Sequence, residues 1–409
     1  MAISPFPVAA ESDRCPASTI HWTEAGQSYA ARWRSERGAP APKRVTLADD
    51  STPADTAYRL ACEGAALLWR GDFHNATQLL QALARRIDKT PSRKQRSAKK
   101  GSTQPPTPAE SFHRHRQAQS QRARILGMLL LPFNGDYTIP LRRAPDARQA
   151  CIEAWGPTDA AAGDSVASLR DLLGIVSSHE WRKKGVEIPE LGAAPNNRIH
   201  PHYGVFSPLR GEYVSLIASA PLPVTRQANF VAFDIGTGTG VVAAVLAKRG
   251  IEAVVASDHD PRALACAREN LARLGLLRQV QIVQADLFPA GQASLVVCNP
   301  PWLPARPSSP IDANVYDEDS RMLLSFLNGV AAHLVPSGEA WLILSDLAEH
   351  LGLRSRAQLL TAFEHAGLRV VGRSDVKARH PKAADASDPL HFARAAEVTS
   401  LWRLTAVEP

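Results

Sequence analysis

The stretch FDIGTGTG, Phe233–Gly240, constrains this chain more than any other. Three alternating glycines follow an apolar run, NFVAFD (Asn229–Asp234), and precede a helical one, VVAAVLAKRG (Val241–Gly250). A strand that turns sharply into a helix uses glycine in this way. Glycine tolerates the required dihedrals, and the helix start presents free N–H groups to a ligand. Downstream the alternation continues. IEAVVAS, QVQIVQA, ASLVVCN and EAWLILS read as strands, and Asp260 followed by Pro261 reads as a capped helix start running to about Leu274. A helix near Ser355–Ala366 precedes RVVGRSDV and EVTSLWRLTA, an expected antiparallel pair. This order predicts an open α/β sheet with helices on both faces and ligands at the carboxyl ends of its strands.

The first half reads differently. Residues 1–52, rich in Pro, Ala and charge, are expected to be mostly irregular, with Trp22 and Trp33 available to pin them to the body. Residues 53–195 read as a smaller all-α domain. Leu80, Leu83 and Ile87 share one helical face, and further helices are expected at Glu110–Leu131, Asp146–Trp155 and Ser165–Trp181, the last capped by Ser165. The basic, Pro/Ser/Thr-rich tract at about 88–110 has almost no apolar residues and is expected to be a disordered insert. The α/β domain then covers 196–409.

Acidic residues stand where the predicted strands end. Asp234 precedes the glycines Gly236, Gly238 and Gly240. Asp258 ends the second strand, where a carboxylate accepts from ribose hydroxyls, and Asp286 follows the third, within reach of an adenine edge. A dinucleotide loop usually reads G-x-G-x-x-G, whereas this one reads G-x-G-x-G. Asp234 suits a sulfonium or ammonium cation better than a pyrophosphate, which favours S-adenosylmethionine over NAD.

The fourth strand stops on Asn299, Pro300, Pro301 and Trp302. An amide or exocyclic amino nitrogen is a poor nucleophile because its lone pair is delocalised. A site can accept from both of its N–H groups and hold it in line with an electrophile. The Asn299 side-chain oxygen and the Pro300 carbonyl are the candidate acceptors. Consecutive prolines hold the carbonyls rigidly without adding a donor, and Trp302 offers a flat face for stacking.

With these motifs, residues from about Pro201 onward resemble class I S-adenosylmethionine-dependent methyltransferases of the N-P-P-[YFW] type, and most nearly the protein glutamine N5-methyltransferases. Ribosomal-RNA amino-group methyltransferases share the signature. The resemblance implies a Rossmann-like, seven-stranded domain with S-adenosylmethionine as cofactor. It implies a glutamine side chain as acceptor, on a protein that includes translation-related candidates, with an RNA base amino group as the alternative. HYGVFSPLRGEY, His202–Tyr213, resembles the segment those enzymes place over the active site, implying that Phe206, Pro208 and Arg210 line the pocket. The helical domain would then dock the substrate. Two departures stand out: Trp302 replaces the usual Tyr, and the acidic ANVYDEDSRMLL replaces a glycine-rich segment. A non-catalytic binding protein on the same scaffold is a further reading, disfavoured by the intact motifs.

Other signals point elsewhere. The net charge of +7 is compatible with a nucleic acid or another acidic partner. Five scattered cysteines without a CxxC pair suggest neither disulfides nor zinc. His113 with His115, and His200 with His202, lack added ligands in register, so no metal is expected. The longest greasy run, Ile125–Phe133, is too short for a membrane span, and no signal peptide is evident at the start. A cytoplasmic location is the expectation. Trp341 reads as core, and Trp402 as either packed or exposed.

Overall fold

A computed structural model describes residues 18–89, 105–158, 163–224, 229–307, 311–379 and 381–407. The chain divides into two units, residues 1–91 with 122–174 and residues 92–121 with 175–409.

In chain order the first part contains β1 (Thr19–Glu24), β2 (Gln27–Arg34), β3 (Arg44–Ala48), α1 (Ala54–Cys62), β4 (Ala65–Trp69) and α2 (Phe73–Lys89). It continues with α3 (Pro108–Leu126), β5 (Leu129–Phe133), α4 (Arg148–Trp155), β6 (Ser165–Ser168) and α5 (Leu169–Lys184). The strands form one mixed sheet in the order β1-β2-β6-β5-β4-β3. This corrects two expectations. The region is α/β rather than all-α, and residues 19–48 carry three strands rather than irregular chain. Trp22 and Trp33 pack on the cluster of Ile20, Leu68, Leu130 and Val166. The expected cap moves too: Ser165 begins a strand, and the Ser168 Oγ accepts from Asp171 N at 2.9 Å as α5 begins. The expected insert at 88–110 lies largely outside the described residues; its ends belong to α2 and α3.

The second unit adds the short pair β7 (Val186–Glu187) and β8 (Arg198–Ile199), then α6 (Glu212–Ser219), β9 (Val231–Ile235), α7 (Val241–Lys248), β10 (Ala253–Asp258), α8 (Pro261–Arg273), β11 (Val280–Gln284) and β12 (Ala293–Cys298). It closes with α9 (Arg321–Val330), β13 (Leu334–Ser345), α10 (Leu347–His350), α11 (Arg356–His365), β14 (Leu368–Lys377) and β15 (Val398–Ala406). The sheet is seven-stranded in the order β11-β10-β9-β12-β13-β15-β14. β9 to β13 run parallel and β15 runs against its neighbours. β12 is buried along its whole length, as a central strand covered on both faces must be. Trp341, fully buried, and Trp402, 5% exposed, are both core.

The strand order reverses between β9 and β12, which pair with Ile235 opposite Cys298. An open parallel sheet leaves a crevice at such a switch point. The glycine loop leaves β9 on one side of it, and Asn299 leaves β12 on the other.

Candidate active site

The glycine loop is held by acids from two strands. Gly236, Gly238 and Gly240 all have positive φ, at 70°, 54° and 81°. Gly240 caps α7 and packs so tightly that an added Cβ would sit 3.2 Å from the Cα and Cβ of Ala267. One oxygen of Asp234, Oδ2, accepts from the Thr237 hydroxyl at 2.6 Å and from Ala243 N at 3.0 Å. A strand-end carboxylate therefore satisfies a free N–H of α7, a role usually taken by the cap residue itself. Burial pushes the Asp234 carboxyl up to about 7; these two hydrogen bonds oppose the shift, and the charge of Asp258 adds to it.

Asp258 is engaged through both oxygens. Oδ2 accepts from Gly238 N and Oδ1 from Asp260 N, each at 3.0 Å. Asp260 in turn caps α8 by accepting from Arg262 N at 2.9 Å. Asn270, fully buried on α8, donates to the Thr239 carbonyl at 3.0 Å and accepts from His200 N at 2.8 Å. Sequence reasoning missed this side chain, because a polar residue on an amphipathic helix carries no signal until its partners are known.

Across the crevice, Trp302 Nε1–H donates to Asn299 Oδ1 at 3.0 Å. The Arg210 guanidinium lies 6.0 Å from the Trp302 ring centroid and donates to the buried Glu397 at 3.2 Å. Beyond Trp302, Leu303 pairs with residues 315–317: its N–H donates to the Val315 carbonyl, and Asp317 N–H donates to the Leu303 carbonyl. The Asp317 carboxylate accepts from Met322 N and Leu323 N at 3.0 and 3.1 Å. Asp319 and Ser320 take positive φ, so the turn into α9 is tight and Asp317 caps the helix from outside it. Asp317 of the acidic segment thus serves the backbone.

These elements enclose one cavity of about 670 Å³, within the usual range for a small-molecule site. Asp234, the three glycines, Asp258, Asn299, Pro300, Pro301 and Trp302 all line it, as do Phe206 and Arg210. Pro208 is buried and not among the lining residues, and Asp286 is exposed outside them. The lining also includes residues that the sequence did not assign to the pocket: Phe112 and His115 of α3, Tyr316 and Met322. Met322 Cε lies 2.9 Å from where a Gly236 Cβ would stand, so a side chain there would have to displace the methionine. Asn314 Nδ2 donates to the Gly204 carbonyl at 3.1 Å, joining the segment over the glycine loop to the one beyond Trp302.

The glycine cradle, strand-end acids and free helix start fit a nucleoside bearing an amino-acid tail. Among the described residues no group of His, Cys, Asp or Glu is arranged to hold a metal, and no helix is long and apolar enough to cross a membrane.

A family model described as the methyltransferase small domain matches residues 196–367. A ribosomal protein L11 methyltransferase of Pelotomaculum thermopropionicum is 34% identical over 145 residues, covering 35% of this chain and 39% of that protein. A release factor glutamine methyltransferase of Deinococcus radiodurans is 34% identical over 152 residues, covering 36% of this chain and 54% of that protein. A tRNA1(Val) (adenine(37)-N6)-methyltransferase of Bacteroides fragilis is 30% identical over 161 residues, covering 36% of this chain and 67% of that protein. The chain thus spans between 39% and 54% of the length of the first two relatives.

Proposed function

This chain belongs to the class I S-adenosylmethionine-dependent methyltransferases, so we propose that it transfers a methyl group to a planar amide or amino nitrogen, with a protein glutamine side chain as the favoured acceptor. The observation that carries this reading is the placement of Asn299 to Trp302 in the same cavity as the glycine loop, on strands that are neighbours in the sheet. When bound, S-adenosylmethionine supplies an electrophilic methyl on a sulfonium. The residues present fit it: Asp258 for the ribose hydroxyls, Asp234 for the cationic amino-acid end, and glycines that leave room for close approach.

Asn299 Oδ1 keeps one lone pair beyond its bond to Trp302, and the Pro300 carbonyl is a second acceptor. Together they would orient the two N–H groups of an incoming NH₂ and so fix the direction of its lone pair. With S-adenosylmethionine bound, transfer would form the C–N bond at the expense of the sulfonium C–S bond, and the acceptor nitrogen would release one proton to solvent. Holding both N–H groups favours the positive charge that develops there, with no strong base required. The Trp302 ring supplies the stacking face for the acceptor plane.

A base amino group on RNA is the second reading, supported by the Trp302 face, the net charge of +7 and the likeness to a tRNA methyltransferase. Incubation of radiolabelled S-adenosylmethionine with extract lacking the enzyme, followed by ribonuclease or protease, separates the two. Protease-sensitive, ribonuclease-resistant label is expected. Label lost to ribonuclease alone would refute the protein acceptor.

A further inference from the structure

The apolar end of the cavity has walls drawn from four separate segments. Phe112 on α3, Leu303, Leu347 and Leu351 around α10, and Leu390 all line it and belong to one buried cluster. Arg116, one turn along α3, stacks 4.2 Å from the Tyr316 ring centroid and donates to the Arg306 carbonyl at 2.7 Å. Residues 112–116 are thereby fastened to the chain that follows Trp302, and the wall is a built one.

Two of the three arginines on the cavity wall are paired from within. Among the described residues that line the whole cavity the arginines are Arg210, Arg262 and Arg394. Arg210 is paired with Glu397, and Arg394 is paired with Asp388 at 3.1 Å, both partners largely buried. Arg262 stands in the first turn of α8, next to Gly204. His115 faces Asp388, Arg394 and Lys382, and burial holds it below the ordinary histidine range. A nucleotide would bring a phosphate, which calls for unpaired, solvated cations. An apolar side chain loses nothing on entering such walls and gains by leaving water.

We propose that this end of the cavity is an acceptor subsite for an uncharged apolar side chain flanking the methylated residue on a protein. It rests on the methyl-transfer reading above and narrows the acceptor to a peptide with an apolar neighbour, the wall being shared by Phe112 and Leu390.

The test uses the full chain with radiolabelled S-adenosylmethionine and extract lacking the enzyme, and the labelled position is mapped by mass spectrometry. The label is expected on a protein nitrogen with Leu, Ile, Val, Met or Phe within two positions. With that acceptor purified, Phe112→Ala and Leu390→Ala are each expected to raise its KM at least tenfold. Cofactor affinity, read by calorimetry, should stay within twofold, which also reports that the variants are folded. Label in RNA, a labelled protein site without an apolar residue within two positions, or an unchanged KM in both variants would overturn the subsite. A chain that binds the cofactor and labels nothing would overturn the methyl-transfer reading itself, and the subsite with it.

Discussion

The Trp302 indole N–H donates to the Asn299 side-chain oxygen at 3.0 Å, so the residue proposed to stack on the acceptor also orients the residue proposed to bind it. An Asn amide can present either its oxygen or its NH₂ to a ligand. The indole bond selects the oxygen and leaves a lone pair of fixed direction. Trp302→Phe keeps a ring but frees the amide to turn. Its kcat should fall by roughly tenfold with the cofactor affinity unchanged. Asn299→Ala should lose roughly 100-fold or more in kcat, as removal of a transition-state partner does elsewhere. Steady-state kinetics with calorimetry checks both, and a Trp302→Phe enzyme of wild-type kcat would remove the orienting role.

Asp258 and Asp286 both stand at strand ends in the sequence, yet of the two only Asp258 lines the cavity. Asp258→Ala removes a ribose acceptor and also the partner of Gly238 N–H and Asp260 N–H. Loss of charged hydrogen bonds of this kind corresponds to a weakening of about tenfold to 100-fold in cofactor affinity. Asp286→Ala should change it by less than twofold. Equal losses in the two variants would return Asp286 to the site.

Asp234 predicts a pH dependence with a definite sign. In the folded chain its carboxyl titrates near 7 because it is buried, against an ordinary value of 3.8. The folded state therefore binds the proton more tightly. This stabilises the fold fully below about pH 4, and the contribution is lost as pH rises through 7. Chemical denaturation should show stability declining over that window, with a shallower decline in Asp234→Asn. A cationic cofactor favours the ionised form, so its affinity should rise with pH through 7, by up to about tenfold per unit. Calorimetry at pH 6 and pH 8 tests this against Asp234→Asn as the flat reference.

Gly240 combines φ of 81° with a Cβ position 3.2 Å from Ala267. Gly240→Ala must take a left-handed conformation and push α8 away at once. A stability loss of about 1–3 kcal/mol is expected for the backbone alone, accompanied by weaker cofactor binding. A thermal melt indistinguishable from wild type would show that the loop relaxes more easily than its packing indicates.

The cofactor half was legible because its constraints are local. A glycine loop between an apolar strand and an apolar helix has few other solutions, and Asp260 with Pro261 marks the start of α8 within the sequence itself. The first 174 residues misled for a physical reason. β4, AALLW, and β5, LLLPF, are short buried runs between helices, and periodicity cannot tell such runs from helix turns. β1 and β2 face solvent over much of their length and are pinned mainly by aromatic residues. Phe112 and Tyr316 escaped notice at the candidate site because they meet only in the fold, more than 200 positions apart along the chain.

The two grips of Asn270, on the Thr239 carbonyl below and on the His200 N–H above, bear on how such a chain diversifies. One side chain on α8 secures both the glycine loop and the segment that leads into residues 202–213. Substitutions at Phe112, Leu303, Leu347, Leu351 or Leu390 leave that clasp intact. If the apolar wall is the acceptor subsite proposed above, its residues can change while the Asn270 clasp on the glycine loop keeps its partners.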